Sequence, residues 1–180
     1  MAKRTEGEFE RVPNDLYRTW DYRAVRPLLP HLMPGTLFVE PCAGHGDLKD
    51  HLTTAGHRCV AAYDIDPKRD DIQTADATRL RWRTQRGFWI TNPPWTREIM
   101  HRINLNLAQQ APMWALFDAD WVHTDQSARL GIYLRKIISV GRVRWIPGSD
   151  SDGKDNAAWH LFDATIPPAR PGDVKFYGRQ

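Results

Sequence analysis

The chain has 180 residues, 41% of them hydrophobic, and a formal charge of +3, which suits one domain with a continuous core and is too little for two. No apolar run approaches the ~18 residues that span a bilayer, so a membrane span is excluded. Arginine supplies 19 of the 25 basic residues, a bias fitted to planar, bidentate contact with phosphates or bases, while Cys42 and Cys59 lack metal-ligand spacing and no apolar leader opens the sequence, so a cytoplasmic, reducing location and no metal are expected.

In chain order, residues 1–12 are charged and aperiodic and read as a flexible arm, with a single domain over 13–180. Ala24, Val25, Leu28 and Leu29 recur at helical spacing, interrupted by Pro27 and Pro30, which predicts a short helix or a pair of turns. Residues 36–39 (TLFV) read as a buried strand, followed by a glycine-rich turn and a helix over 47–55. Residues 58–65 form a second strand with an acidic end, and 88–91 a further one. A helix over 97–109 leads to a strand over 114–119. A helix over 126–138 and two strands, 142–146 and 157–162, joined by a polar loop, complete the pattern. Strands alternating with helices predict a mostly parallel sheet covered on both faces, closed by a C-terminal hairpin.

In such a sheet ligands sit beyond the carboxyl ends of the strands. Four stretches meet there. In EPCAGHGDL, Gly44 and Gly46 permit a tight turn and close backbone approach to a ligand. Lys49 stands where a dinucleotide site would need its third glycine, and a glycine pair after a strand is often only a connection. In YDIDP, Asp64 ends the second strand at a height where a carboxylate can accept both hydroxyls of a ribose; the plainer reading has Asp66 cap the next helix and Asp64 solvated. In ADAT, Asp76 can accept from an amino group or simply form a turn. In TNPPW, two prolines stop the strand at Asn92 and leave a stiff loop.

The ordered series EPCAGHG, YDIDP, ADAT and TNPPW resembles the S-adenosylmethionine-dependent amino-methyltransferases, above all the DNA adenine-N6 methyltransferases, in a small, phage-like form. The match covers about residues 14–95. The resemblance implies a Rossmann-like methyltransferase fold with a seven-stranded sheet, and S-adenosylmethionine as cofactor. It places Glu40, Pro41, Ala43, Gly44, Gly46, Asp64, Ile65, Asp76, Ala77 and Asn92 around that cofactor, with Tyr17, Thr19 and Trp20 recruited by the looser match of NDLYRTW to a segment that closes over it. It makes Asn92, Pro93, Pro94 and Trp95 catalytic. The Asn92 side-chain oxygen and the Pro93 carbonyl would accept the two hydrogens of the target amine, turning its lone pair toward the methyl group, and the prolines would fix that geometry before reaction. Trp95 would stack on a base that has left the helix.

The resemblance also shows an absence. Only 13 residues separate Thr78 from Asn92, and the 85 after Trp95 are consumed in finishing the sheet, so no separate target-recognition domain fits. RLRWRTQR offers Arg79, Arg81, Arg83 and Arg86 around Trp82, expected near the mouth of the site, and with Arg97 these are the predicted nucleic-acid contacts. A solvated amphipathic edge is the equal alternative. Residues 147–156 read as a mobile hairpin tip. DNA is the expected partner, with a short or relaxed target sequence; a homodimer, an RNA substrate and a catalytically silent nucleic-acid-binding subunit stay open. A protein-glutamine methyltransferase shares the loop, usually with tyrosine in place of Trp95.

Overall fold

The computed structural model describes residues 17–82, 86–170 and 172–179; the expected arm over 1–12 lies outside them. Among the described residues eight strands form one sheet in the order β3-β2-β1-β4-β5-β7-β6-β8, where β1 is Leu37–Glu40, β2 Arg58–Asp64, β3 Gln73–Thr74, β4 Phe88–Thr91, β5 Met113–Asp118, β6 Leu134–Gly141, β7 Ala157–Phe162 and β8 Lys175–Tyr177. Strands β3 to β5 pair in parallel, β7 is antiparallel to both β5 and β6, and β8 joins β6 in parallel. The sheet is therefore mostly parallel with an antiparallel hairpin near one edge, as expected, but it has eight strands rather than seven. The eighth, three residues long, carries no periodic signal of its own.

Strand β5 shows why both faces are covered. Its alternate residues Trp114 and Leu116 belong to one buried cluster with Ala24, Leu28, Leu48 and Leu52, contributed by the 3-10 helices Tyr22–Ala24 and Arg26–His31 and by helix α1, Asp47–Thr54. Met113, Ala115 and Phe117 point the other way, into a cluster with Met100, Ile103 and Leu107 of helix α2, Arg97–Ala108. The i, i+3, i+7 spacing of those three residues is the apolar stripe of a helix lying on a sheet. The indole N–H of Trp159 on β7 donates to the Ala24 carbonyl at 2.8 Å in the interior, fastening the N-terminal turns to the far half of the sheet.

The chain departs from expectation between β5 and β7. In place of one helix over 126–138, a 3-10 helix Ala119–His123 and the short helix α3, Ser127–Gly131, precede β6. Residues 142–146 do not form a strand; they begin a long loop. The β-branched run Ile137, Ile138, Val140 favours a pleated surface, and the burial pattern of β6 follows it. Among the described residues between β2 and β4 there is no helix, only turns and the two-residue β3, and the stretch after Asp66 is a turn, so Asp66 caps none. The sheet face left there is closed by Trp82, edge-on to Trp89 with ring centroids 5.1 Å apart.

Strands β1, β2 and β4 run parallel, so their carboxyl ends deliver Glu40, Asp64 and Asn92 to one edge. Because β2 lies on one side of β1 and β4 on the other, the chain reverses direction across the sheet at this place, which opens a crevice.

Candidate functional site

A cleft of about 410 Å³ occupies that crevice, within the range of small-molecule sites. Tyr17, Thr19, Glu40, Pro41, Ala43, Gly44, Asp64, Ile65, Asp76, Ala77, Asn92 and Pro94 line it. Four residues expected at the site do not. Gly46 stands behind the turn as the N-cap of α1, at φ 80°. Trp20 lends its carbonyl to His51 on α1 at 3.0 Å. Pro93 is buried under the loop, and Trp95 faces a second cleft.

The glycine turn is sewn to β2. Asp64, only 8% exposed, accepts from the Gly44 N–H at 2.7 Å and from the Asp66 N–H at 2.8 Å, so it is a built-in brace rather than a solvated end. The Ala43 N–H donates to the Tyr63 carbonyl at 2.8 Å and the Lys68 N–H to the Gly44 carbonyl at 3.1 Å. Each carboxylate oxygen of Asp64 keeps capacity for a further donor. Asp76 accepts from the Thr78 N–H at 2.8 Å and hydroxyl at 2.7 Å through Oδ1, and those bonds hold its carboxyl below the usual range.

Glu40 is the exception. It is buried, and its Oε2 meets no donor among the described residues. Burial pushes its carboxyl well above the ordinary range, the Lys49 backbone N–H opposes this, and the nearby Asp64 and Asp47 add to it. A buried carboxyl with an unused oxygen, on the wall of a cleft, is suited to a cationic ligand group. Cys42 also lines the cleft, but burial raises its thiol so far that it stays protonated.

Asn92 sits where the cleft meets the stiff loop. Its Nδ2 donates to the Tyr17 carbonyl at 3.0 Å and to the Thr19 hydroxyl at 3.1 Å, while its Oδ1 accepts from the Trp95 indole N–H at 3.0 Å. A carbonyl can only accept and an indole N–H can only donate, so the amide orientation is over-determined.

The second cleft, about 360 Å³, adjoins the first through Tyr17, which lines both. Trp95 and Trp145 form its aromatic wall, edge-to-face with centroids 5.3 Å apart. Its rim is Ile146, Ser149, Ser151, Asp152, Gly153, Lys154 and Asp155. Sequence reasoning read this loop as a hairpin tip and passed over Trp145. It also missed Arg18, whose guanidinium grips Asp47 of α1 with two bonds of 2.7 Å, both residues lining the first cleft. The signal available was a tryptophan next to a Pro-Gly turn, which is weak.

The arginine-rich stretch lies elsewhere than expected. Trp82 lines a separate groove on the open sheet face with Arg81, Arg86 and Trp89, so it is not at the mouth of either cleft. Arg79 follows the cleft residue Thr78 and is 84% exposed in its side chain, Arg81 bonds Asn106 at 2.5 Å, and Arg97 reaches Gln126 at 3.4 Å. Arg83 lies outside the described residues. Among those residues no group of three or more His, Cys, Asp or Glu is placed to hold a metal, and no helix is long and apolar enough to cross a membrane.

No protein-family model and no curated protein matches the sequence. Solved structures do match by shape. A protein provisionally described as an RNA methyltransferase, from Pyrococcus horikoshii, is 11% identical, with 81% of this chain and 84% of that one covered at a TM-score of 0.57. One provisionally described as a class I S-adenosylmethionine-dependent methyltransferase, from Listeria monocytogenes, is 9% identical, with 96% and 68% covered at 0.59. A dimethyladenosine transferase from Plasmodium falciparum is 11% identical, with 81% and 60% covered at 0.50. The fold is that of the Rossmann-like class I methyltransferases.

Proposed function

We propose that the chain transfers a methyl group from S-adenosylmethionine to the exocyclic N6 amine of adenine in DNA. The observation that carries this reading is the fixed carboxamide of Asn92, set between a cleft suited to the cofactor and a cleft walled by tryptophans. The donor set of the first cleft fits S-adenosylmethionine: the unused oxygen of Glu40 suits its ammonium, Asp64 its ribose hydroxyls and Asp76 its adenine amino group. When bound, that cofactor supplies a methyl group on a positively charged sulfur.

The rest is the work of this chain. Asn92 Oδ1 can accept a second hydrogen bond besides that from Trp95, and the adjacent Pro93 carbonyl is the second acceptor. Together they would draw on the two hydrogens of an amine whose lone pair is otherwise delocalised into the ring. The Asn92 acceptor is held by its own three bonds and the Pro93 carbonyl would be limited by the stiffness of the two prolines, which is where positioning contributes most. Trp95 and Trp145 offer planar surfaces for a base taken out of its stack. The proton left on the methylated nitrogen goes to water, and no general base is needed. With only 13 residues between Thr78 and Asn92, no recognition domain is inserted at that point, and the residues of this chain would read target sequence briefly or loosely.

The same geometry accepts adenine in RNA, and the neighbours named for RNA and for dimethyladenosine keep that reading beside the first. Incorporation of labelled methyl into DNA, RNA and protein offered together, followed by digestion to the modified nucleoside, tests both. N6-methyladenine formed by the wild-type chain and lost in Asn92→Ala, with cofactor affinity kept, is expected. Label found in protein alone would overturn the proposal.

A further inference from the structure

The loop over 142–156 is held over the second cleft by contacts that its sequence does not announce. Asp21, at the N-cap of the first 3-10 helix, accepts through Oδ2 from the Arg144 backbone N–H at 3.0 Å. Both of its oxygens also engage Arg23, with Nε and Nη2 donating over 2.6 to 3.1 Å. The same Nη2 reaches across to Asp152 Oδ1 at 2.7 Å, and Arg144 Nε lies 3.9 Å from that carboxylate. One guanidinium thus joins the N-terminal turn to the loop, 129 positions apart in sequence.

Between the two anchored residues, Arg144 and Asp152, stands the tryptophan of the cleft wall. Its indole lies against Gly153 so closely that a Cβ there would come within 2.7 Å of the ring, and the Gly153 N–H donates to the Val143 carbonyl at 2.8 Å. Trp145 is therefore confined by Gly153 and by Trp95, with the backbone beside it pinned to Asp21. A single exposed ion pair would contribute little, but this one is bidentate, branched and backed by a backbone bond, which is the arrangement in which such pairs matter.

We propose that the Asp21–Arg23–Asp152 latch sets the position of Trp145 and so selects the acceptor, making Arg23 and Asp152 positioning residues for the second cleft. The inference rests on the reading of that cleft as the acceptor's place. Neither residue lines the first cleft, so cofactor binding is separable from it.

The test is a double-mutant cycle with Arg23→Ala, Asp152→Ala and the pair, with Arg23→Lys as the conservative variant. It is read by hydrogen exchange over residues 143–155, by KM and kcat for an adenine-containing oligonucleotide, and by calorimetry of S-adenosylmethionine. Each single change should speed exchange in the loop and raise the acceptor KM about fivefold, with kcat less affected and cofactor affinity kept, the upper end for a networked exposed pair. The double variant should be no worse than the worse single, because both remove one connection, and Arg23→Lys should recover most of the loss. Gly153→Ala, which displaces Trp145 directly, should raise the same KM with the latch intact. Additive losses in the double variant, or faster exchange with an unchanged acceptor KM, would overturn the latch. Should the wild-type chain methylate neither DNA nor RNA, the functional reading falls. Exchange then decides the latch alone: matched loosening in both single variants and none further in the double sustains it, and unaltered exchange overturns it.

Discussion

The indole N–H of Trp95 donates to Oδ1 of Asn92 at 3.0 Å. A phenylalanine at this position would keep a stacking surface but has no donor for that bond. The tether thus gives a physical reason for tryptophan in the loop: it holds the carboxamide oxygen from one side while Tyr17 and Thr19 hold the nitrogen from the other. Trp95→Phe should lower kcat by roughly tenfold, the cost of a lost positioning hydrogen bond of ~1–1.5 kcal/mol, with a smaller effect on acceptor KM. Steady-state kinetics with a DNA oligonucleotide would check this, and an effect confined to KM would assign Trp95 to stacking alone.

Asp64 braces the glycine turn as well as facing the cleft, so its removal should have two separable effects. Asp64→Ala should weaken S-adenosylmethionine by ~1.5–3 kcal/mol, typical of hydrogen bonds to a charged group. It should also destabilise the cofactor-free chain, because the Gly44 and Asp66 N–H groups lose their acceptor. Calorimetry and chemical denaturation of the same variant distinguish the two; unchanged stability would mean that the turn holds without the brace.

Glu40 should make cofactor binding release a proton. Its carboxyl is raised in the free protein chiefly by burial, so it is protonated at pH values where an ordinary carboxyl is ionised, and a cation placed against it would reverse that. Binding heats measured near neutral pH in buffers of different ionisation enthalpy should differ, and the difference should vanish in Glu40→Gln. The same group predicts a stability effect of definite sign. A folded pKa above the unfolded one stabilises fully below the unfolded value and loses that contribution as pH rises, so Glu40→Gln should stabilise the cofactor-free protein at neutral pH.

His160 acts in the opposite sense. Its ring is stacked on Phe117 with centroids 4.0 Å apart, and burial holds its pKa down to about 3, well below the ordinary imidazole value of 6.5. The unfolded chain therefore binds a proton that the folded chain refuses. Stability is fully present above about pH 6.5 and falls by up to ~1.4 kcal/mol per unit as pH drops from there toward 3, a few degrees in Tm for each unit. His160→Phe should flatten the Tm profile between pH 6.5 and 4.5. An unchanged slope would show that other groups set the acid limit.

The half of the fold that carries the first cleft was legible because each of its strands is short, apolar and stopped by a strong local signal. A glycine-rich turn opening with Pro41 follows β1, an acid ends β2, and proline stops β4, so the order of the loops follows from the order of the strands. The other half was not. Leu130, Leu134, Ile137 and Ile138 satisfy a helical spacing as well as the pleat they adopt, and only pairing with β7 on one side and β8 on the other decides between them. The second cleft was hidden for a related reason. Trp95 and Trp145 meet across 50 residues, and the loop that brings Trp145 there is anchored through Arg23 and Asp152, whose partnership no local pattern records. Trp82 was misplaced because arginines around a tryptophan suggest an exposed stacking platform. No helix covers the sheet face among the described residues between β3 and β4, and the ring packs there against Trp89 instead.

The stitched glycine turn bears on the speed of association. Bonds from Ala43 to Tyr63, from Gly44 to Asp64 and from Lys68 to Gly44 hold the loop in shape through the chain's own groups. A small molecule that contacts this turn meets backbone already bonded in place, so little of its binding energy is diverted into ordering the turn. The turn itself should then add no waiting step to association, and any levelling-off of the observed rate with concentration would have to arise in another part of the site.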